Sequence, residues 1–161
     1  MQQATLCLLV KEDQNPKEIL LAMKKRGFGV GKWNGVGGKI DLKKGDRNII
    51  DAAIRETEEE IGVKIKNPEK VALLRFCFPY KEKWNQDVHV FFAKDWEGEP
   101  IETEEMYPKW FKLERIPYEK MWDDDKFWLP RVLKSERIKA DFVFKKGERV
   151  IKHNLKVVKE I

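Results

Sequence analysis

A chain of 161 residues is long enough for one domain with a buried core, and we expect a single domain over residues 1–161. Its composition, 42% hydrophobic and 38% charged, is typical of a globular, soluble protein. There is no apolar run near the roughly 18 residues of a membrane-spanning helix, and no signal peptide is recognisable. These features exclude a membrane partner and predict a cytoplasmic location.

The net charge of +5 is concentrated near the end of the chain, where residues 138–161 hold seven basic and three acidic side chains. Such a basic tail is one way to bind nucleic acid, and salt-dependent affinity would reveal it. Here the lysines alternate with apolar residues, which is typical of a solvated strand face. We therefore expect no stable nucleic-acid partner. Cys7 and Cys77 lie in apolar runs, which favours reduced core thiols over a disulfide.

The first half of the chain predicts two strands, a glycine-rich loop and a helix. The strands are residues 4–11 and 18–24, joined by a polar turn at 12–17. Residues 24–31 form a basic, glycine-rich loop that permits close approach of a phosphate, but they lack the order of a P-loop. The helix is predicted over 48–61, with Asn48 as N-cap and Gly62 at its C-terminal end.

The second half predicts strands at 71–78, 87–94 and 109–113, with a polar connection at 79–86 and a loop at 96–103. A helix follows over 123–136, with Asp123 as its cap and its regular part beginning at Pro130. Strands 140–144 and 150–158 form a hairpin around Lys146-Gly147. This order of elements predicts an α/β fold, a mixed sheet covered by helices.

Three carboxylates of the first helix, Glu56, Glu59 and Glu60, have the i, i+3, i+4 spacing that places them on one helix face. Hard divalent cations bind carboxylate oxygens, so a metal site explains this crowding of like charge. The alternative is a solvated acidic surface. We expect Glu60 to be a metal ligand and the general base, with Glu105 as the second candidate. Arg55 is expected to orient the glutamates by ion pairing.

A Gly37-Gly38 turn precedes this helix, and the carbonyl group of either glycine is expected to complete the metal shell. The run Arg55 to Val63 resembles the second half of the Nudix box, G-x5-E-x7-R-E-U-x-E-E-x-G-U, with Thr57 at the aliphatic position. The first half of the box departs from the pattern, since Arg47 and Asp41 occupy its glutamate and glycine positions. We place a short insertion at 42–46 and take Asp46 as the substitute for the glutamate.

Further stretches resemble one branch of that family, the animal-type oxidised purine nucleoside triphosphatases, or 8-oxo-dGTPases. The matching pieces are LLAMKKRGFGVGKWNGVGGK, DVHVFF, ETEEMYPKWF and IPYEKMWDDDKFWLP. The resemblance implies a Nudix α/β/α sandwich with a mixed β-sheet between helices. It implies hydrolysis of 8-oxo-dGTP or 2-oxo-dATP to monophosphate and pyrophosphate, which sanitises the nucleotide pool. Mg²⁺ is the implied cofactor, with Mn²⁺ as a possible substitute, and a monomer is expected.

The same resemblance assigns residues to the nucleotide. Asn34, Asp124 and Asp125 are expected to recognise the base, while Trp122 and Phe28 stack on it or wall it. The other assigned residues line the pocket or contact the phosphates: Thr5, Lys24, Phe76, Phe78 and Gln86. Gln86 stands where relatives carry an apolar residue, which makes it a candidate for a different base preference.

Carboxyl-group chemistry, apart from the resemblance, also points to base recognition by Asp124 and Asp125. Two adjacent carboxyl groups in an apolar pocket do not both ionise cheaply, so one pKa is expected to rise. A protonated carboxyl donates a hydrogen bond where a carboxylate only accepts one, so the pair can read two kinds of oxidised purine. The alternative is that both residues merely start a helix.

Two other functions remain open on the sequence. One keeps the fold and changes the substrate to ADP-ribose, a dinucleoside polyphosphate or an mRNA cap. The other is a non-catalytic nucleotide-binding module, which the altered first half of the box favours and the intact glutamates Glu56, Glu59 and Glu60 argue against.

Overall fold

The computed structural model describes residues 1–12 and 17–161, so the centre of the turn predicted at 12–17 lies outside the described residues. The described chain contains ten strands and two α-helices. The strands are β1 (Gln2–Lys11), β2 (Glu18–Lys24), β3 (Trp33–Asn34), β4 (Lys64–Lys66), β5 (Glu69–Cys77), β6 (Gln86–Ala93), β7 (Asp95–Glu97), β8 (Met106–Lys112), β9 (Arg137–Lys145) and β10 (Arg149–Val158). The helices are α1 (Ile49–Ile61) and α2 (Asp125–Val132).

The main sheet is mixed, as the order of elements predicts. Its strand order is β10-β9-β5-β6-β1-β2-β3, and β8 pairs along the other edge of β2. β1 runs parallel to β6 and β5 runs parallel to β9, while the remaining pairs are antiparallel. β4 and β7 form a separate two-stranded ribbon.

The two faces of the sheet carry different cores. Cys7 and Leu9 of β1 belong to the core that contains Ala53 and Ile61 of α1, whereas Leu8 belongs to the core of α2. Because successive side chains of a strand point to opposite faces, the two helices cover opposite sides of the sheet. The fold is therefore the predicted α/β/α sandwich.

Helix α1 is where local signals and structure agree best. The side chain of Asn48 accepts a hydrogen bond from the N–H of Asp51, and Gly62 ends the helix with a φ of 73°. Asp51 in turn accepts from the backbone N–H of Arg47 at 3.0 Å. Both ends of the helix that carries the glutamates are thus capped by residues that adjoin it in the sequence.

Helix α2 is shorter than predicted. It runs over Asp125–Val132 and contains Pro130, so the prediction that its regular part begins at Pro130 is wrong. Asp123 does not cap it, because the Asp123 carboxylate accepts the N–H of Val150 at 2.8 Å and pairs with Lys126 at 3.0 Å. A turn over residues 133–135 follows the helix, and Ser135 in this turn has a φ of 73°.

A gap in the sheet positions the site described below. β1 pairs with β2 at Val10–Ile19 and Lys11–Glu18, close to their connection. Further along, the segment 33–39 lies between the two strands. Its β3 end pairs with β2, and its Val36 pairs with Cys7 of β1. The gap therefore opens where β1 begins and β2 ends.

Both cysteines are free thiols. Burial raises the pKa of the Cys7 thiol to about 12, so this side chain behaves as a core residue. No helix in the part of the chain that the structure describes is long and apolar enough to cross a membrane.

Candidate active site

A pocket of about 200 Å³ occupies the gap between β1 and β2. Every residue that the sequence analysis assigned to the nucleotide lines it: Thr5, Lys24, Phe28, Asn34, Phe76, Phe78, Gln86, Trp122, Asp124 and Asp125. The sequence analysis missed Lys32, Lys39 and Met106 as lining residues. Lys32 lies just beyond the basic, glycine-rich loop, and this position is the sequence feature from which its role could have been predicted. No feature of the sequence pointed to Met106 as a lining residue.

Two carboxyl groups close one end of the pocket. Asp124 is 1% exposed and Asp125 is 3% exposed. One oxygen of Asp124, Oδ2, accepts a hydrogen bond from Trp128 Nε1 at 2.8 Å. Asp124 Oδ1 and Asp125 Oδ2 have no hydrogen-bond partner among residues 1–12 and 17–161. Buried polar atoms are usually paired, so these two oxygens are available to a ligand.

Burial raises the pKa of both aspartates, and the pKa of Asp125 is raised further by the charge of Asp124. The hydrogen bond from Trp128 acts in the other direction on Asp124, because it stabilises the charged form. Asp125 is consequently the member of the pair that keeps its proton. This end of the pocket offers both a donor and an acceptor.

Aromatic rings form the walls beside this pair. The ring centroids of Phe28 and Trp122 are 5.1 Å apart, and those of Phe78 and Trp122 are 6.4 Å apart. Lys32 Nζ lies 5.5 Å from the centroid of the Trp122 ring. Aromatic walls with a few convergent polar groups are typical of a site for a small molecule.

Asn34 and Thr5 face the middle of the pocket. Asn34 Oδ1 accepts the N–H of Gly35 at 2.9 Å, which leaves the amide nitrogen to donate. The Thr5 hydroxyl donates to the Gly38 carbonyl oxygen and accepts from the Gly38 N–H, both at 3.2 Å. A Cβ on Gly37 would lie 2.0 Å from the Thr5 carbonyl oxygen, so this close approach requires glycine.

Gly37 and Gly38, which line the pocket, lie against the acidic face of α1 that carries Glu56 and Glu60. Glu60 is 9% exposed, and its Oε2 accepts only a long hydrogen bond, 3.4 Å, from the Gly37 N–H. Burial, followed by the charge of Glu56, raises the pKa of Glu60 to about 8. The charge of Lys24 lowers this pKa and that of Glu105 raises it, so three charged groups act on the Glu60 carboxyl group.

Arg55 connects the acidic helix face to the turn before it. Its Nε and Nη2 donate to the two oxygens of Asp46 at 2.9 and 2.7 Å, and Nη2 also donates to the Lys39 carbonyl oxygen at 3.1 Å. Its Nη1 donates to Glu56 at 3.0 Å and to Glu59 at 3.1 Å. All five N–H donors of the guanidinium group are thereby used.

The insertion at 42–46 is a one-turn 3₁₀ helix, Leu42–Lys44, capped by the Asp41 side chain and ended by Gly45. It returns the chain so that the Asp46 carboxylate, 2% exposed, meets Arg55. The structure therefore places Asp46 against Arg55, where the sequence analysis put a substitute for the glutamate of the box.

Not all the predicted metal ligands come together. Glu59 pairs with Arg55 and with Lys44, and the exposed Glu105 pairs with Arg26 at 3.3 Å. Within the described ranges, no group of three or more His, Cys, Asp and Glu side chains is arranged to hold a metal. The Gly38 carbonyl oxygen already accepts two hydrogen bonds from Thr5, so Gly37 is the better of the two carbonyl candidates.

Glu56 and Glu60 alone still fit a divalent cation. A buried carboxyl group beside a second carboxylate keeps its charge only if positive charge lies close to it. Burial and the charge of Glu56 raise the pKa of Glu60 to about 8, so a cation bound beside it would favour its charged form. Carboxylate oxygens are the donors that Mg²⁺ and Mn²⁺ prefer.

Residues 1–132 match the family model described as the NUDIX domain. An oxidized purine nucleoside triphosphate hydrolase of Danio rerio is 41% identical over 157 residues, which cover 98% of this chain and 96% of that protein. The Mus musculus protein of the same name is 40% identical over 143 residues, 89% of each chain. The crystal structure of a MutT protein from Bacillus halodurans superimposes with a TM-score of 0.81 at 26% identity, covering 97% of this chain and 98% of that one.

Proposed function

This chain belongs to the NUDIX family, and we propose that it hydrolyses oxidised purine nucleoside triphosphates to the monophosphate and pyrophosphate. Its substrates would be of the 8-oxo-dGTP and 2-oxo-dATP type, and its role would be to sanitise the nucleotide pool. The observation that carries this proposal is one pocket lined by the paired carboxyl groups of Asp124 and Asp125 and by Gly37, whose N–H donates to the buried Glu60.

Base recognition is assigned to the end of the pocket where the aspartates lie. The protonated Asp125 donates to an acceptor on the base edge, and Asp124 accepts from a donor. Asn34 adds an amide donor, while Phe28, Phe78 and Trp122 cover the ring faces. An unpaired buried polar group is costly, so a base that lacks the matching edge is disfavoured.

Hydrolysis is assigned to the acidic face of α1, beside Gly37 and Gly38. Glu60 is the base that takes the proton of the attacking water, and Arg55 holds Glu56 and Glu59 in their orientation. Lys24 and Lys39 place positive charge beside the phosphates.

NUDIX hydrolases generally use divalent metal ions, and we propose Mg²⁺ here, with Mn²⁺ as a substitute. Glu56, Glu60 and the Gly37 carbonyl group would hold the ion, with Glu59 and Glu105 as further ligands once released from their ion pairs. Such an ion supplies stabilisation of negative charge on the phosphate oxygens.

The test is turnover of 8-oxo-dGTP beside dGTP with Mg²⁺, with identification of the products. We expect preference for the oxidised base and release of 8-oxo-dGMP and pyrophosphate. Replacing Glu60→Gln should lower kcat by a factor on the order of 10² or more. Glu58→Gln, a change at an exposed position of the same helix, is the matched control. Equal turnover of both nucleotides would contradict the proposed substrate.

Extending the same assay to ADP-ribose, a dinucleoside polyphosphate and an mRNA cap separates the alternatives. Hydrolysis of ADP-ribose or a dinucleoside polyphosphate in place of 8-oxo-dGTP would point to another NUDIX activity. Binding of nucleotide without any turnover would indicate a non-catalytic module. We further propose a cytoplasmic monomer formed by one domain, residues 1–161, without a stable nucleic-acid partner. A solution mass equal to the 19.1 kDa of one chain would support the monomer.

A further inference from the structure

The connection between β5 and β6, which the sequence predicts to be merely polar, brings a tryptophan to the aromatic wall of the pocket. Trp84 closes a one-turn 3₁₀ helix, Glu82–Trp84. The centroid of its ring lies 4.6 Å from that of Phe28 and 5.6 Å from that of Phe78, both in edge-to-face geometry. Phe28 and Phe78 line the pocket, and Trp84 supports them from behind.

The position of Trp84 is well determined by its surroundings. Asn85 Oδ1 accepts the backbone N–H of Phe78 at 2.6 Å, which closes the connection onto the end of β5. The Trp84 N–H donates to the Lys81 carbonyl oxygen at 2.9 Å, and Lys81 Nζ lies 4.0 Å from the centroid of the Trp84 ring. These contacts make Trp84 a fixed support.

Phe28 is held differently. It is 41% exposed and stands in a loop whose three glycines, Gly27, Gly29 and Gly31, all have positive φ. Glycine-rich backbone has a large conformational freedom to lose on ordering. The Phe28 ring packs against both Trp84 and Trp122, so contacts with these two rings hold Phe28 in place.

We propose that Trp84 is a positioning residue that holds Phe28 against Trp122 and so sets the width of the base end of the pocket. It acts through Phe28 and does not contact the nucleotide. The identity of the ligand as a purine nucleotide rests on the proposed function, whereas the packing of Phe28 does not.

Replacing Trp84→Ala should raise KM for 8-oxo-dGTP about three- to tenfold, the effect expected for the loss of an aromatic pair. kcat should stay within about twofold of the wild-type value, because Glu56 and Glu60 on the acidic face of α1 are unchanged. Trp84→Phe, which keeps a ring against Phe28, should restore most of the affinity. An unchanged KM in Trp84→Ala would overturn the inference.

A double-mutant cycle tests whether Trp84 acts through Phe28. In a Phe28→Ala background, adding Trp84→Ala should change KM little further. Equal increases in both backgrounds would show that Trp84 acts by another route. The matched control is Trp96→Ala, which removes a half-buried tryptophan stacked on Trp110 in the core on the α1 side and should leave KM unchanged.

A measurement without nucleotide separates this inference from the proposed function. Amide hydrogen exchange in residues 24–32 should become at least several-fold faster in Trp84→Ala, and remain as in the wild type in Trp96→Ala. If the wild type fails to hydrolyse 8-oxo-dGTP but this loop loosens, the proposed function fails and the inference stands. If turnover is as proposed and the exchange is unaltered, the inference fails alone.

Discussion

At the scale of single residues, Asp124 and Asp125 show how burial changes what a carboxyl group can do. In water both would be ionised acceptors at neutral pH. Here desolvation raises both pKa values, the Trp128 N–H favours charge on Asp124, and that charge keeps the proton on Asp125. Burial therefore converts two like groups into a donor and an acceptor.

We predict that the alkaline side of the pH profile reports the proton of Asp125. Because burial and the charge of Asp124 raise its pKa, Asp125 keeps its proton to higher pH than in water, and loss of the proton as the pH rises through that pKa should lower kcat/KM for 8-oxo-dGTP. Asp125→Asn donates at every pH, so the alkaline fall should disappear. Asp124→Asn removes the neighbouring charge, so the fall should move to lower pH.

The measurement is kcat/KM against pH for the wild type and both variants, with 8-oxo-dGTP and 2-oxo-dATP. Identical alkaline limbs in all three proteins would show that Asp125 does not carry the relevant proton.

At the scale of elements, the contact between α1 and the turn before it depends on Arg55. The insertion changes the length of this turn, yet its 3₁₀ helix brings Asp46 to the guanidinium group, where both carboxylate oxygens accept. The Asp46 side chain is shorter than the glutamate of the Nudix box and lies at another sequence position. It pairs with Arg55, which also orients Glu56 and Glu59.

We predict that Asp46→Asn destabilises the protein by about 2 kcal/mol at neutral pH, since it weakens charge-assisted hydrogen bonds. The Arg55 donors hold the pKa of Asp46 below its usual value of 3.8. A lowered pKa in the folded state gives stability that is present above the unfolded-state pKa and is lost as the pH falls through the folded-state value.

Urea unfolding at neutral and at acidic pH measures this difference. The gap between wild type and Asp46→Asn should shrink on acidification. Asp51→Asn is the control, because Asp51 pairs with the largely exposed Arg47, and such pairs contribute at most about 1 kcal/mol. A gap that is equal at both pH values would contradict the assigned role of the Asp46 charge.

The elements that the sequence analysis missed are short or depend on distant partners. β4 and β7 have three residues each and pair with one another, so neither shows a usable hydrophobic period. β3 has two residues and pairs with β2, and the segment that follows it lies against β1 because the glycines at 35 and 37 permit close approach to the β1 backbone. Trp84 stands in a polar stretch whose turn directs it toward Phe28 and Phe78.

At the scale of the whole molecule, one sheet joins two cores. Alternating residues of β1 enter both, Cys7 and Leu9 on the α1 side and Leu8 and Val10 on the α2 side. A strand shared in this way cannot leave one core without leaving the other.

We therefore predict a single cooperative unfolding transition, as expected for one domain. Urea unfolding followed by tryptophan fluorescence and by far-ultraviolet circular dichroism should give coincident midpoints. Two separated midpoints would show that the cores unfold independently and would contradict the single domain proposed for residues 1–161.

The sequence by itself determined the features that depend on local geometry. These are the long strands, α1 with Asn48 and Gly62 at its ends, and the common helix face of Glu56, Glu59 and Glu60. Resemblance to a known family added the set of residues that line the pocket. Periodicity and capping act over a few residues, so they can be read directly from the chain.

Only the tertiary structure decided which of these groups meet. It buries Glu60 near Gly37, ties Glu59 to Arg55 and Lys44, and directs Asp123 to the N–H of Val150. It also brings Trp84 into contact with Phe28 of the pocket wall. Desolvation and charge pairing depend on distances between residues far apart in the chain, and those distances are set when the sheet assembles.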